Sequence, residues 1–405
     1  MTTSERRYPT RAEDVPILGP RLNGVSRWSA VATAIGAIGL VLGFILDPDQ
    51  AFVGYLAAYI YVVTTALGAL TLLMICHAMT ALWPIVVRRL MEAVAMTLPL
   101  CVLLFVPIVV GFDRLYPWSH PEAIVDPHAR ALVLHKLPYL NLPFWIIRAI
   151  VYFAVWSVTA GLLWRWSVLG DTEIDPRLPS RMRAMSSALL PAVALTLTFA
   201  AIDWVMSLTP TWISTMYGIY VWSGGFIAAI SLVTALAYAA ERSGALPWIS
   251  SSHYHALGRL MLAFTIFWAY AGFFQYMLIW IGNLPIDVPF YVARTRGPWT
   301  NVSIFLALGQ FVFPFLVLLF WRIKRNGRQL AIMAVWLVFI HYIDAHWLVV
   351  PSLRPTGWTY RAVDLAALLF VGGAATYVAA YLLRKRSILP LNDPAVALGL
   401  RYESQ

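Results

Sequence analysis

The sequence predicts an all-α integral membrane protein of ten transmembrane helices, built as two four-helix bundles with a flanking first and last helix. Three observations predict this. The 405 residues are 60% hydrophobic and only 12% charged, where a soluble domain carries about 25% charge. Apolar runs of about 20 residues, each long enough to span a bilayer, recur along the whole length. The basic residues gather in alternate connections between those runs, which is the pattern that membrane topology imposes.

The first helix is read at 28–46, after a polar, Pro-containing lead from Met1 to Arg27. That lead is too long for a signal peptide, so the run after it reads as an uncleaved anchor. Asp47-Pro48-Asp49 closes it, and the second helix follows at 52–79. Trp83-Pro84 opens the third, at 85–111, which carries Pro99 and Pro107 inside it. A long connection rich in Pro and His, Phe112 to Leu142, leads to the fourth helix at 143–169. The fifth, 184–208, ends at Thr209-Pro210, and the sixth runs over 213–240. The seventh occupies 256–282, and the connection Pro285 to Pro298 leads to the eighth at 299–321. The ninth and tenth are placed at 329–350 and 359–383. Pro and Gly pairs at these ends are the local signals that set the boundaries.

With the N-terminus inside, the inner segments hold 21 of the 29 Lys and Arg residues and the outer segments 8. Both termini are therefore expected in the cytoplasm. Helices two to five and six to nine are then two sets of four that each start on the outside, which is the arrangement of a parallel repeat. The expected units are a tail at 1–27, a flanking helix at 28–51, bundles at 52–208 and 209–350, a last flanking helix at 351–384 and a tail at 385–405. The two long outer connections are the expected docking surface for partners.

Composition excludes several classes. Cys76 and Cys101 both fall in apolar runs, and there is no CxxC or CxxCH, so no iron–sulfur cluster or c-type haem is expected on this chain. The net charge of +10 lies in short loops, without a nucleic-acid motif. Lipid, not nucleic acid, is the expected surroundings.

An ionisable group at membrane depth costs roughly 2.5–3.5 kcal/mol or more and needs a partner. Asp203 lies five residues before Leu208, about 7–8 Å inside the outer end of the fifth helix. Arg148, five residues into the antiparallel fourth helix, reaches the same depth. Asp344 on the ninth helix and Asp364 on the tenth share that level, and His341 shares a face with Asp344. His346 should point elsewhere. An inner layer holds His77, Glu92 beside Arg88 and Arg89, and His255 with Arg259. Thr64, Thr65, Thr71, Tyr270, Gln275 and Tyr276 lie between the layers. The plainer readings are an ion pair for Arg148–Asp203, an interfacial salt bridge for Glu92, an interfacial role for His255, and belt or packing roles for Trp204, Trp212 and Trp222. A haem b site needs facing histidines at one depth, and His77 and His341 lie in different layers.

The stretch Ala201-Ile202-Asp203-Trp204-Val205-Met206-Ser207-Leu208 with Tyr217-Gly218-Ile219-Tyr220 resembles the F subunit of bacterial alternative complex III, a quinol:electron-acceptor oxidoreductase. So do His135-Lys136-Leu137-Pro138-Tyr139-Leu140-Asn141 leading to Arg148, His255-Ala256-Leu257-Gly258-Arg259 running on through Phe267-Trp268-Ala269-Tyr270 to Gln275-Tyr276 and Trp280, and His341-Tyr342-Ile343-Asp344. The wider group is the polysulfide-reductase-like (NrfD-like) superfamily, and the resemblance covers nearly the whole membrane region. It implies two four-helix bundles, a bacterial cytoplasmic membrane, and partners comprising a paralogous quinol-binding membrane subunit, an iron–sulfur subunit and multihaem cytochrome c subunits. The clusters and haems then belong to those partners.

The expected function is a redox-inactive membrane subunit of a quinol-oxidising complex. Asp203, His341, Asp344 and Asp364 are candidates for the outer part of a proton route, with His77 and Glu92 for the inner part. One alternative is that the chain binds quinol in its own outer pocket, with His341 or Asp344 as proton acceptor. Another is a secondary transporter, which broken helices at mid-membrane would favour.

Overall fold

A computed structural model describes residues 19–354, 360–390 and 392–404. The first eighteen residues of the expected N-terminal tail, and the expected start of the tenth helix at 359, lie outside them. Ten described helices are long and apolar enough to cross a membrane: α1 Gly19–Leu46, α2 Pro48–Ala78, α3 Arg88–Val110, α4 Leu142–Leu169, α5 Arg177–Leu208, α6 Tyr217–Arg242, α7 Ser251–Gly282, α8 Pro298–Leu319, α9 Gly327–Leu353 and α10 Ala362–Leu383.

Several helices begin earlier than hydropathy places them. α2 starts at Pro48 because Asp47 caps it, its carboxylate accepting from Gln50 N at 3.1 Å. α7 starts at Ser251 because Ser250 and His253 form a reciprocal cap. α5 starts seven residues early, with Arg177, Arg181 and Arg183 carrying it past its apolar part. Hydropathy sees the part of a helix that suits lipid. Backbone bonding continues the helix through polar residues until a cap ends it.

α3 is broken into segments after Ala95 and after Leu104. Pro99 and Pro107 follow these breaks, and neither can donate the bond that would continue the helix. α8 departs from the expected regular span, with a π-helical segment over Ala307–Val312, just before Pro314. The widened turn accommodates the missing Pro314 donor.

α2 and α6 are the two most buried spans. α2 packs against α1, α3, α5, α6, α9 and α10, and α6 against α2, α3, α5, α7 and α9. Their backbones meet where glycine faces glycine. A Cβ on Gly68 would lie 2.3 Å from Gly225 O, and one on Gly225 would lie 2.4 Å from Thr64 O. Absence of both side chains lets the helices close up, the usual device for tight contact in lipid. α4 packs against α3 and α5, and α8 packs against α7 and α9.

The connections fold onto the helix ends. Between α3 and α4, Tyr116 and Trp118 are buried, and Lys136 Nζ donates to Pro210 O at 2.5 Å. Between α7 and α8, the short helix Val288–Thr295 tucks Phe290, Tyr291 and Arg294 inward. The C-terminal segment, expected as a tail, packs on the opposite end of the bundle. Ile388 and Leu389 are fully buried, the short helix Val396–Leu400 rests on the turn Trp83–Val86, and Asp393 accepts from Arg88 Nη1 at 2.5 Å.

Candidate functional site

The four charged groups expected at one outer level fall into three separate clusters. The first surrounds Asp203. Its carboxylate is fully buried and takes a forked contact from Arg148, Nε to Oδ2 at 2.7 Å and Nη2 to Oδ1 at 3.0 Å. Tyr152, one turn beyond Arg148 on α4, donates to Oδ2 at 2.7 Å. The Asp203 backbone carbonyl accepts from Trp145 Nε1 at 3.1 Å and Ser207 Oγ at 2.6 Å. The guanidinium also donates to Tyr139 O at 2.9 Å and lies 3.9 Å above the Tyr139 ring. The run His135 to Asn141 is thus a platform: Lys136 ties to the central turn, Tyr139 supports Arg148, and Asn141 caps α4 through Phe144 N. Beneath lies a packed ring cluster in which Trp204 meets Phe105, Phe153 and Trp156. Trp204 and Trp212 are buried packing residues; Trp212 stacks on Phe290 with centroids 3.7 Å apart.

The second cluster joins α2, α6 and α9. His341 and Asp344 are both buried, with His341 Nδ1 3.8 Å from Asp344 Oδ2. Tyr220 donates to the other oxygen, Oδ1, at 2.8 Å. His341 Nε2 is 3.0 Å from Thr64 Oγ1, whose hydroxyl is 2.6 Å from Ile60 O. The threonine hydroxyl donates to that carbonyl, which leaves its oxygen free to accept from Nε2. His341 Nδ1 and Asp344 Oδ2 face each other, and neither has a hydrogen-bond partner. Gly224 makes the room: a Cβ there would sit 3.0 Å from Oδ2 and 3.2 Å from Nδ1. Thr64 on α2, Tyr220 on α6 and Gly224 on α6 were the partners that spacing on a single helix could not supply.

The third cluster holds Asp364 as a cap. Its oxygens accept from Gln50 Nε2 at 3.0 and 3.1 Å and from Arg361 N at 2.8 Å. His346 turns to this side, its ring 4.4 Å from that of Tyr342. Asp47 at the adjoining rim pairs with Arg361 and, at 3.7 Å, with Arg354. The Gln50 N–H foremost, with both guanidiniums, holds its carboxyl below the ordinary value.

The inner layer is more heavily bonded than sequence spacing predicts. Glu92 lies 3.4 Å from Arg88 Nε and 3.2 Å from Arg89 Nη1. Arg89 also donates to Ser167 O at 3.0 Å and pairs with Asp171. Burial pushes the Asp171 carboxyl up, and Arg89 pulls it partly back. Asp171 and Asp393 come from a loop and the C-terminal segment, where sequence gave no sign of them. His77 stands apart, with Nε2 buried and without a hydrogen-bond partner. His255 Nδ1 is 2.9 Å from Ser404 Oγ.

Next to the second cluster lies a cavity of about 720 Å³ between α6, α7 and α8. Aromatic side chains dominate its wall, among them Tyr220, Trp268, Tyr276, Phe290 and Trp347. Gln275 spans its outer edge, accepting from Ser214 Oγ at 2.7 Å and donating to Tyr291 Oη at 2.8 Å. The π-helical segment of α8 supplies Ala307, Phe311 and Val312 to the same wall. Among the described residues no three His, Cys, Asp or Glu side chains gather as a metal-ligand set. The chain matches no protein-family model and no curated protein.

Proposed function

We propose that this chain is a membrane subunit of a quinol-oxidising electron-transfer complex, redox-inactive itself, in which the His341–Asp344 pair exchanges protons. The observation that carries the proposal is His341 Nδ1 facing Asp344 Oδ2 at 3.8 Å, both atoms buried and without a hydrogen-bond partner. A proton suits such a gap, and a buried ionisable pair at membrane depth is a functional site by default. Asp203 is assigned a structural role, because its carboxylate is already clamped by three side-chain donors. Asp364 serves its helix end. On the inner side His77, with a free Nε2, is the better candidate, since Glu92 is held between two arginines.

The sequence resemblance supplies the complex: a paralogous quinol-binding membrane subunit, an iron–sulfur subunit and multihaem cytochromes c take the electrons. The packing of α3 to α5 on α2, and of α7 to α9 on α6, is read as two four-helix bundles in a bacterial cytoplasmic membrane, with both termini inside. The distorted helices α3 and α8 occupy the second place in one set and the third in the other. A repeat-built transporter would break at corresponding places, so that reading is set aside.

The cavity favours a second reading, that quinol binds in this chain. Tyr220 lines the cavity and bonds Asp344, so a hydroquinone hydroxyl at Tyr220 would stand one hydrogen bond from the proton acceptor. One set of measurements on the intact complex tests both. Asp344→Asn should lower proton release per electron, and normal quinol oxidation with normal release would overturn the first reading. Ala269→Trp, which fills the cavity, should abolish quinone-analogue binding under the second reading; unchanged affinity would exclude it.

A further inference from the structure

At the basic end of α7 a groove of about 510 Å³ is lined by His255, Arg259 and Lys324 toward one end and by Leu262, Ala263 and Ile266 farther along the same face of α7. The basic side chains come from two elements, α7 and the connector after α8. Lys324 is only 8% exposed, an unusual degree of burial for a lysine. Its stem crosses Gly258, where a Cβ would come within 2.8 Å of Lys324 Cγ. Burial and the neighbouring Arg259 charge push the ammonium below its ordinary value. Among the described residues, the ion pairs with carboxylates include neither Arg259 nor Lys324. Lys324 is withdrawn from water beside the exposed Arg259, with no carboxylate partner for either among the described residues, an arrangement suited to an external anion.

The apolar end says what kind of anion. Leu262, Ala263 and Ile266 extend the groove along α7, and seven residues from Arg259 to Ile266 make about 10 Å of wall. Trp321 marks the height: it is 57% exposed, its ring is 6.3 Å from that of His255, and Arg325 sits 4.7 Å above it. An exposed tryptophan beside arginines belongs at the headgroup level of a bilayer. The geometry points to a binding site for one anionic phospholipid, its phosphodiester held by Arg259 and Lys324 with His255 at the rim, and an acyl chain laid along Leu262, Ala263 and Ile266. Basic pockets between membrane helices take such headgroups. A free phosphate ion would use only the basic end.

The test uses the whole chain, purified in an uncharged detergent and stripped of lipid. Phosphatidylglycerol, phosphatidylcholine and inorganic phosphate are each added, with retained lipid counted by native mass spectrometry and the unfolding temperature measured. Phosphatidylglycerol should be retained and raise the unfolding temperature, with no such effect from the other two. Arg259→Gln with Lys324→Gln should weaken phosphatidylglycerol binding about 30-fold, from roughly five- to sixfold per charge. Arg177→Gln, an exposed arginine elsewhere on the same side, should change it less than about fivefold. Ala263→Phe fills the apolar end, leaves the charges intact and should also abolish retention; it keeps the test valid if the double variant does not fold. Equal retention of phosphatidylcholine, an equal effect of inorganic phosphate, or unchanged binding by Ala263→Phe would overturn the site.

Discussion

Removing Arg148 should cost far more than neutralising Asp203, although both substitutions break the same contact. Asp203 is fully buried and would keep one side-chain donor, Tyr152, after Arg148→Gln. An uncompensated buried charge left by deleting its partner costs about 3–5 kcal/mol. Arg148 is better placed to survive alone. Its side chain is 10% exposed near the outer rim, it donates to Tyr139 O, and it lies over the rings of Tyr139 and Phe144 at 3.9 and 4.4 Å. Asp203→Asn should therefore cost about 1–3 kcal/mol, the usual loss for a buried hydrogen-bonded group. The double variant should resemble Asp203→Asn alone, so the coupling energy should equal the whole cost of Arg148→Gln, about 3–5 kcal/mol. The assay is equilibrium unfolding of the purified chain in mixed detergent, read by tryptophan fluorescence. Equal costs for the two single variants, or a double variant that is their sum, would refute the view that Asp203 depends on Arg148 for its buried charge.

Two more outcomes follow from packing and charge. Gly225→Val should destabilise the chain by about 1–3 kcal/mol or prevent folding, because its Cβ would meet Thr64 O at 2.4 Å; Gly161→Ala, where a Cβ meets nothing within 4 Å, should be nearly neutral in the same unfolding assay. At the rim, Asp47 has a folded-state pKa below the ordinary 3.8 of an aspartate, so its contribution is present above that value and fades as pH falls through the folded one. Asp47→Asn keeps the cap acceptor for α2 and should flatten the stability profile below about pH 5, whereas Asp47→Ala should also lose about 1 kcal/mol of capping; a profile unchanged by Asp47→Asn would dismiss the Asp47 charge as a source of stability.

The candidate residues were legible to different degrees for identifiable reasons. Arg148 and Asp203 could be matched because sequential antiparallel helices joined by a short connection fix relative depth at 1.5 Å per residue. His341 and Asp344 could be matched because i and i+3 share a helix face. Tyr152 was within reach by the same rule, lying four residues beyond Arg148, and was overlooked. Tyr220 and Thr64 were not within reach. Their meeting with α9 depends on how far α2 and α6 approach, and no periodicity within one helix encodes that distance. Asp393 was hidden for another reason: it sits in a polar C-terminal stretch that reads as a tail, and only packing against Arg88 gives it a place.

What the sequence determined by itself is the material and the count. Its apolar runs, low charge and capping residues establish ten helices suited to a membrane, because backbone bonding in lipid must be satisfied within each span. They also establish that a few ionisable groups lie deep enough to need partners. Tertiary structure alone decided which partner each group receives. It separated Asp203, answered by a guanidinium and a tyrosine, from Asp344, whose second oxygen faces a His341 nitrogen that has no hydrogen-bond partner. Those partners come from different helices, and their meeting is set by side-chain volume at the crossings, above all the bare glycine contact of α2 and α6.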